Sequence, residues 1–322
     1  MDKAGDSAFR AITAREHWPE MTYGGAVSFL RRRYTRDLQG VDVAVMGFPY
    51  DAAVTYRPGC RLGPRAIRAA SVQLAELRAF PWGFDLLESL AVVDRGDAML
   101  DPHHPETVAP AVEAAAAEVI ASGAKLLALG GDHFIAWPLL RAHAAKYGPL
   151  ALVQVDAHGD LWPDDPGRID HGTMMGRAIR EGLVDASRST QVGIRTFHES
   201  AEGLEILTAP WIHRTGIAAA VEAVRTRAGD APVYLSFDID GLDPAFAPGT
   251  GTPVPGGLAS WQALELVRGL AGLRLVGMDI VEVSPPFDHA EITALAAATL
   301  AHDWLCVLAA DAGALKHPVG RL

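Results

Sequence analysis

Short apolar runs recur along this chain, separated by stretches with helical spacing. Val43–Gly47, Leu90–Val93, Lys125–Leu129, Leu150–Val155, Gln191–Ile194, Val233–Phe237 and Leu273–Met278 read as strands. Ala66–Leu77, Val108–Ser122, Trp137–Lys146, Trp261–Leu270 and Glu291–Ala310 read as helices. Strands that are apolar along their whole length, with helices between them, predict a parallel sheet covered on both faces. The expected class is therefore α/β. Residues 1–38 show weak periodicity and no clear strand, and read as an N-terminal arm. No repeat or low-complexity linker divides residues 39–322, which read as one domain.

Three of the predicted strands run into unusual polar segments. Asp156-Ala157-His158-Gly159-Asp160 follows Leu150–Val155, and Asp238-Ile239-Asp240 follows Val233–Phe237. Side chains two apart share a face of an extended chain, so the acids of each run can point one way. Leu129-Gly130-Gly131-Asp132-His133 follows a third strand, and its glycines permit a sharp turn. In parallel sheets, binding sites lie beyond the carboxyl ends of the strands, where all three segments fall. Alone, Gly-Gly-Asp-His reads as a turn and helix start, and Asp-x-Asp as a solvated loop. Together they would crowd carboxylates at one end of a sheet, where like charges repel and resist desolvation. Divalent cations relieve that cost. His133, Asp156, His158, Asp160, Asp238 and Asp240 are thus expected to hold two metal ions, three residues each with bridging carboxylates. A mixed His/Asp set suits Mn²⁺, with Zn²⁺ or Ni²⁺ possible.

Charge narrows the partners. A formal net charge of −11 disfavours nucleic acid and attracts metals and cationic small molecules. Cys60 and Cys306 are far apart and read as small buried hydrophobes rather than a disulfide framework. The charged start Met1–Ser7 lacks the apolar centre of a signal peptide. No uninterrupted apolar stretch approaches the roughly 20 residues of a membrane span. A cytoplasmic protein without a membrane partner is expected.

Further segments carry a resemblance. These are Arg57-Pro-Gly-Cys-Arg-Leu-Gly-Pro-Arg-Ala-Ile67, His171-Gly-Thr173, Asp243-Pro-Ala-Phe-Ala-Pro-Gly-Thr-Gly-Thr-Pro253 and Gly277-Met-Asp-Ile-Val-Glu-Val-Ser-Pro285. With the three metal segments they make the chain resemble the ureohydrolase family of arginases and agmatinases, from about residue 20 to 310. The resemblance implies a three-layer arginase-like α/β fold whose central, mostly parallel sheet has helices on both faces. It implies a binuclear Mn²⁺ centre and hydrolysis of a guanidino group to urea plus an amine. It also implies a homo-oligomer, a trimer or a hexamer. The ligand roles carry over to the six residues above. The family's proton-handling histidine carries over to His171, and its guanidinium-contacting carboxylate to Glu282.

That chemistry suits the residue types. Two metals sharing one water lower its pKa and hold hydroxide against the substrate carbon. Asp160 can accept a hydrogen bond from it and carry the proton to the leaving nitrogen. His171 can shuttle that proton to solvent. Glu282 can pair with the planar guanidinium. The expected reaction is agmatine to putrescine plus urea. Alternatives are another guanidine (guanidinobutyrate, guanidinopropionate or an alkylguanidine, the last with nickel) and a non-catalytic subunit of the same family. The chain departs from the family at Gly159, where Ser or Thr is usual, so a hydroxyl that could tune the metal is missing. The loop Leu161–Ile169 is expected to wall the pocket with Trp162. It offers both Asp164–Asp165 and Arg168 to the far end of a substrate.

Overall fold

The computed structural model describes residues 21–75, 78–165 and 168–310. Residues 1–20 of the expected arm, Leu77 at the end of the first expected helix, and Pro166 and Gly167 lie outside the described residues. The seven apolar runs become strands and β6 joins them, eight among the described residues: β1 Val43–Phe48, β2 Val92–Asp97, β3 Lys125–Gly130, β4 Ala151–Val155, β5 Thr190–Ile194, β6 Glu205–Thr208, β7 Val233–Asp238 and β8 Leu275–Val281. They form one sheet in the order β2-β1-β3-β8-β7-β4-β5-β6. Every pairing is parallel.

Among the described residues eight helices cover it: α1 Gly63–Ser71, α2 Val108–Ala121, α3 Ala136–Tyr147, α4 Met174–Arg180, α5 Ala209–Thr215, α6 Ile217–Ala228, α7 Ser260–Gly269 and α8 Ile292–Ala309. Alternate residues of a strand feed opposite cores. Leu127 and Leu129 of β3 join one apolar cluster with α1 and α5–α8, whereas Leu126 and Ala128 join the other with α2–α4. This explains why the strands are apolar throughout and gives three α/β/α layers. Helix α8 alone among the described residues is long and apolar enough to cross a membrane, and 78% of it is buried inside the fold. It lies between α1 and α7 in one helical layer.

Two strands run past their expected ends. β2 continues through Asp94 and Arg95, and β8 through Asp279. Charge made these positions look like loop, but both buried acids find donors. Asp94 accepts from Arg68 Nε of α1 and from the Phe29 backbone, both at 2.8 Å. Asp279 accepts from Tyr234 and Ser236 of neighbouring β7, also at 2.8 Å. The contact from Phe29 is how the described part of residues 21–38 docks, with Phe29 and Leu30 buried. β6, α4, α5 and α6 carried no clear signal in the pattern, and fill residues 174–228 around β5.

The chain leaves β3 through α3 for β4, three places away across β8 and β7, which fill the gap later. The carboxyl ends of β3, β8, β7 and β4 therefore line one crevice, the expected place for a site in an open parallel sheet.

Candidate metal centre

All six expected ligands meet in that crevice. Gly131 makes the β3 turn possible, because a Cβ there would lie 1.8 Å from the Tyr50 carbonyl oxygen. The turn delivers His133, which is buried, at the start of a short 3-10 segment. Its Nδ1 faces Asp160 Oδ2 at 3.0 Å, Asp156 Oδ2 at 3.2 Å and Asp238 Oδ2 at 3.4 Å. On the other side of Asp156, His158 Nδ1 lies 3.4 Å from Asp156 Oδ1 and 3.1 Å from Asp240 Oδ2. The two oxygens of Asp156 thus face two different groups. His133, Asp156 and Asp238 form one set with metal-ligand spacing, and Asp156, His158 and Asp240 form another.

The local geometry differs from the extended chain expected. Asp160 adopts φ +52°, in the left-handed region that non-glycine residues rarely occupy. Its run is a bent loop, and the bend brings Asp160 to the His133 side. Asp238 is the N-cap of the 3-10 turn Ile239–Gly241, its Oδ1 accepting from the Asp240 backbone at 2.8 Å. Backbone N–H groups also aim the other acids: His158 N donates to Asp156 Oδ1 at 2.6 Å, and Ala157 N to Asp240 Oδ1 at 3.0 Å. The acids converge because amides within each run, and one reaching from the first run to the second, hold them.

This donor set fits a pair of divalent cations. His133 Nδ1 is buried and makes no hydrogen bond, although three carboxylate oxygens surround it. Its other nitrogen is occupied: Nε2 pairs with Ser236 Oγ at 2.8 Å, and Ser236 donates in turn to Asp279 at 2.8 Å. Such a partner fixes the ring with its free nitrogen towards the acids. Without a cation the cluster holds protons instead. Burial and then the charge of Asp156 push Asp160 up to about 7. Burial and then Asp240 and Asp156 raise Asp238. Burial opposes a charge on His158, but Asp240 and Asp156 outweigh it and bring it to about 12. Positive charge is what the site lacks.

Glu282 and His171 adjoin the first set. Glu282 leaves the end of β8 at φ +64°, a strained backbone of the kind found at functional sites. Its Oε1 accepts from the His133 backbone at 2.8 Å and from His171 Nδ1 at 2.9 Å. Its Oε2 is buried with no hydrogen-bond partner. On the far side of the ring, Thr55 places its N–H 3.1 Å and its hydroxyl 2.9 Å from His171 Nε2. Burial and the Thr55 amide favour the neutral ring. The Glu282 carboxylate outweighs them and raises His171 to about 9.

Residues 41–306 match the arginase family model. The chain belongs to the arginase family. An agmatinase of Chromobacterium violaceum is 56% identical over 306 residues, which is 94% of this chain and 95% of that protein. A crystal structure described as a hypothetical agmatinase from Burkholderia thailandensis superposes with a TM-score of 0.92 at 53% identity, covering 94% of this chain and 95% of that one. Proclavaminate amidino hydrolase from Streptomyces clavuligerus gives a TM-score of 0.86 at 37% identity, over 91% of this chain and all of that one.

In the wall of this arginase-family crevice, two charges of the Leu161–Ile169 loop have partners of their own. Asp164 is held by Arg177 at 2.6 Å and Arg180 at 3.1 Å, and Arg168 by Asp170 at 2.6 Å. Both charges serve the loop itself. Trp162 is what reaches the pocket, alongside Thr55, His158, His171, Gly172 and Thr252. Its ring packs so closely on Gly172 that a Cβ there would lie 2.3 Å from it.

Sequence reasoning passed over Thr55, Gln154, Gln191 and Ser236. A signal existed for two of them: Gln154 and Ser236 are polar residues in apolar strands, two positions before a ligand and so on its face. Gly159 is also explained in part. Two buried polar atoms without partners, Gln191 Oε1 and His198 Nδ1, lie 3.7 and 3.3 Å from where its Cβ would be. A third group with metal-ligand spacing, His302, Asp303 and Cys306 of α8, has its acid committed to Arg268 at 2.6 Å. Cys60 and Cys306 are buried free thiols, as expected.

Proposed function

We propose that this protein hydrolyses agmatine to putrescine and urea, with two Mn²⁺ ions held by His133, Asp156, His158, Asp160, Asp238 and Asp240. The observation that carries the reading is the buried, unbonded Oε2 of Glu282, held beside the His133 ligand set. A fixed carboxylate oxygen without a donor suits the N–H edge of a guanidinium. The acids around it favour a cation, and the committed charges of the 161–169 loop present no free Arg to a carboxylate-ended substrate. The agmatinase relative at 56% identity supports the same substrate.

Bound there, two divalent cations supply Lewis acidity and a water acidic enough to attack at neutral pH. The chain's own residues do the rest. Glu282 orients the guanidinium and Trp162 covers the alkyl chain. One C–N bond breaks, and the departing nitrogen must gain a proton. Asp160 lies where it can pass the water's proton inward, and His171, raised to about 9 by its pairing with Glu282, can supply or recover one from solvent. The reading extends to a single catalytic domain over residues 39–322 behind an N-terminal arm, in a cytoplasmic homo-oligomer, a trimer or hexamer.

The test is urea release from agmatine, 4-guanidinobutyrate, 3-guanidinopropionate, arginine and an alkylguanidine, with Mn²⁺, Ni²⁺ or chelator. Agmatine with Mn²⁺ is expected to be fastest, and chelator to abolish release. Faster turnover of any other guanidine overturns the substrate assignment, and faster turnover with Ni²⁺ overturns the metal assignment.

A further inference from the structure

Behind the first ligand set lie two glutamines that no ligand role uses. Gln154 of β4 and Gln191 of β5 are fully buried and directly opposed in the parallel register. Buried amides inside apolar strands are costly unless their hydrogens find acceptors. Here each does. Gln154 Nε2 donates to Asp156 Oδ2 at 2.8 Å and to Asp160 Oδ2 at 3.3 Å. Gln191 Nε2 donates to Gln154 Oε1 at 2.7 Å and to the Gly159 carbonyl at 2.6 Å.

The pattern allows one orientation. Both acceptors beside Gln191 need its NH₂ group, so its NH₂ faces them. Gln154 must then turn its oxygen to Gln191 and its own NH₂ to the carboxylates. The chain of amides thus has a direction, from the Gly159 end to the acids. The oxygens it reaches, Asp156 Oδ2 and Asp160 Oδ2, are the two that lie 3.2 and 3.0 Å from His133 Nδ1. The side chains of the other group, His158 and Asp240, receive nothing from it; Gln154 Nε2 reaches only the His158 backbone carbonyl, at a long 3.5 Å. An uncharged donor is suited to this place. It steadies the charged form of two crowded acids without the repulsion that a Lys or Arg would exert on an incoming cation.

We propose that Gln154 and Gln191 are a positioning pair that pre-sets the His133 metal subsite and leaves the His158 subsite alone. Gln191 fixes the sense of the Gln154 amide, and through the Gly159 carbonyl it also fixes the bend that carries Asp160. This rests on the two-metal reading of the site.

The test is calorimetric titration of the full-length, chelator-stripped protein with Mn²⁺, with thermal melting of the apo-protein followed by circular dichroism. The wild-type chain is expected to bind two ions. Gln154→Leu is expected to weaken one of them by about 10- to 100-fold, the range for loss of a partner behind a ligand, and to leave the other unchanged. Gln191→Leu, which touches no carboxylate, is expected to weaken the same ion by less, and it carries the test alone should Gln154→Leu fail to fold. Wild-type affinity for both ions in the variants overturns the inference. So does equal weakening of both ions while apo melting is unchanged. If the wild-type chain binds no Mn²⁺, the metal reading itself has failed instead.

Discussion

The pairing of Glu282 with His171 can be tested without substrate. Glu282→Gln keeps the shape of the side chain and an oxygen to accept from the His133 backbone, but removes the charge. Burial and the Thr55 amide, both of which favour a neutral ring, remain. Asp160 and Asp132 still favour the charged ring, so the pKa of His171 should then fall from about 9 to near the ordinary 6.5. A drop of more than two units corresponds to roughly 3 kcal/mol of coupling, in keeping with a carboxylate 2.9 Å away in a buried setting. The assay is an NMR titration of the His171 imidazole in chelator-stripped wild-type protein and in the variant. The sign is fixed by the pairing: a raised pKa means the charged ring is stabilised, and this contribution to stability disappears as pH rises through about 9. In the metal-loaded enzyme, the alkaline fall in kcat/KM should move to lower pH in Glu282→Gln. An unchanged His171 pKa in the variant refutes the pairing, and with it the protonated ring at neutral pH.

Other outcomes follow from the same geometry. Asp240→Asn should cost the protein one bound Mn²⁺, seen by elemental analysis, and remove urea release. Trp162→Ala should raise KM for agmatine several-fold with a smaller change in kcat, because the ring walls the pocket and touches no reacting atom; this is read from initial rates. Gly131→Ala should prevent stable folding or displace His133, since its Cβ would overlap the Tyr50 carbonyl, and is scored by soluble yield and apo melting. Acid should weaken the fold through His143. Burial lowers this histidine to about 4, so the unfolded chain binds the extra proton between pH 6.5 and 4. Stability should drop across that window by up to about 1.4 kcal/mol per pH unit, and His143→Met should flatten the slope in denaturant titrations.

The architecture was legible because β1, β3, β4 and β7 are buried on both faces and so apolar at nearly every position. The convergence of the candidate ligands was legible for a related reason: His and Asp directly after an apolar strand can go nowhere but the sheet's end. What hid was polarity satisfied from afar. Asp94 and Asp279 looked like strand ends because their partners, Arg68 and Tyr234, are distant in sequence. Gln154 and Gln191 went unremarked for the same reason. β6 pairs on one side only and is half-buried, so its alternation is faint. The path of the acidic runs was also beyond periodicity. Asp160 and Glu282 take left-handed backbone conformations that their residue types disfavour, and tertiary contacts alone select them.

The central claim is that six side chains form two coupled subsites and that turnover needs both filled. Stepwise addition of Mn²⁺ to the chelator-stripped protein, with bound metal and urea release from agmatine measured on the same samples, tests it most directly. Activity should stay near zero through the first equivalent and rise with the second. Full activity at one bound ion per chain, or urea release from metal-free protein, would contradict it.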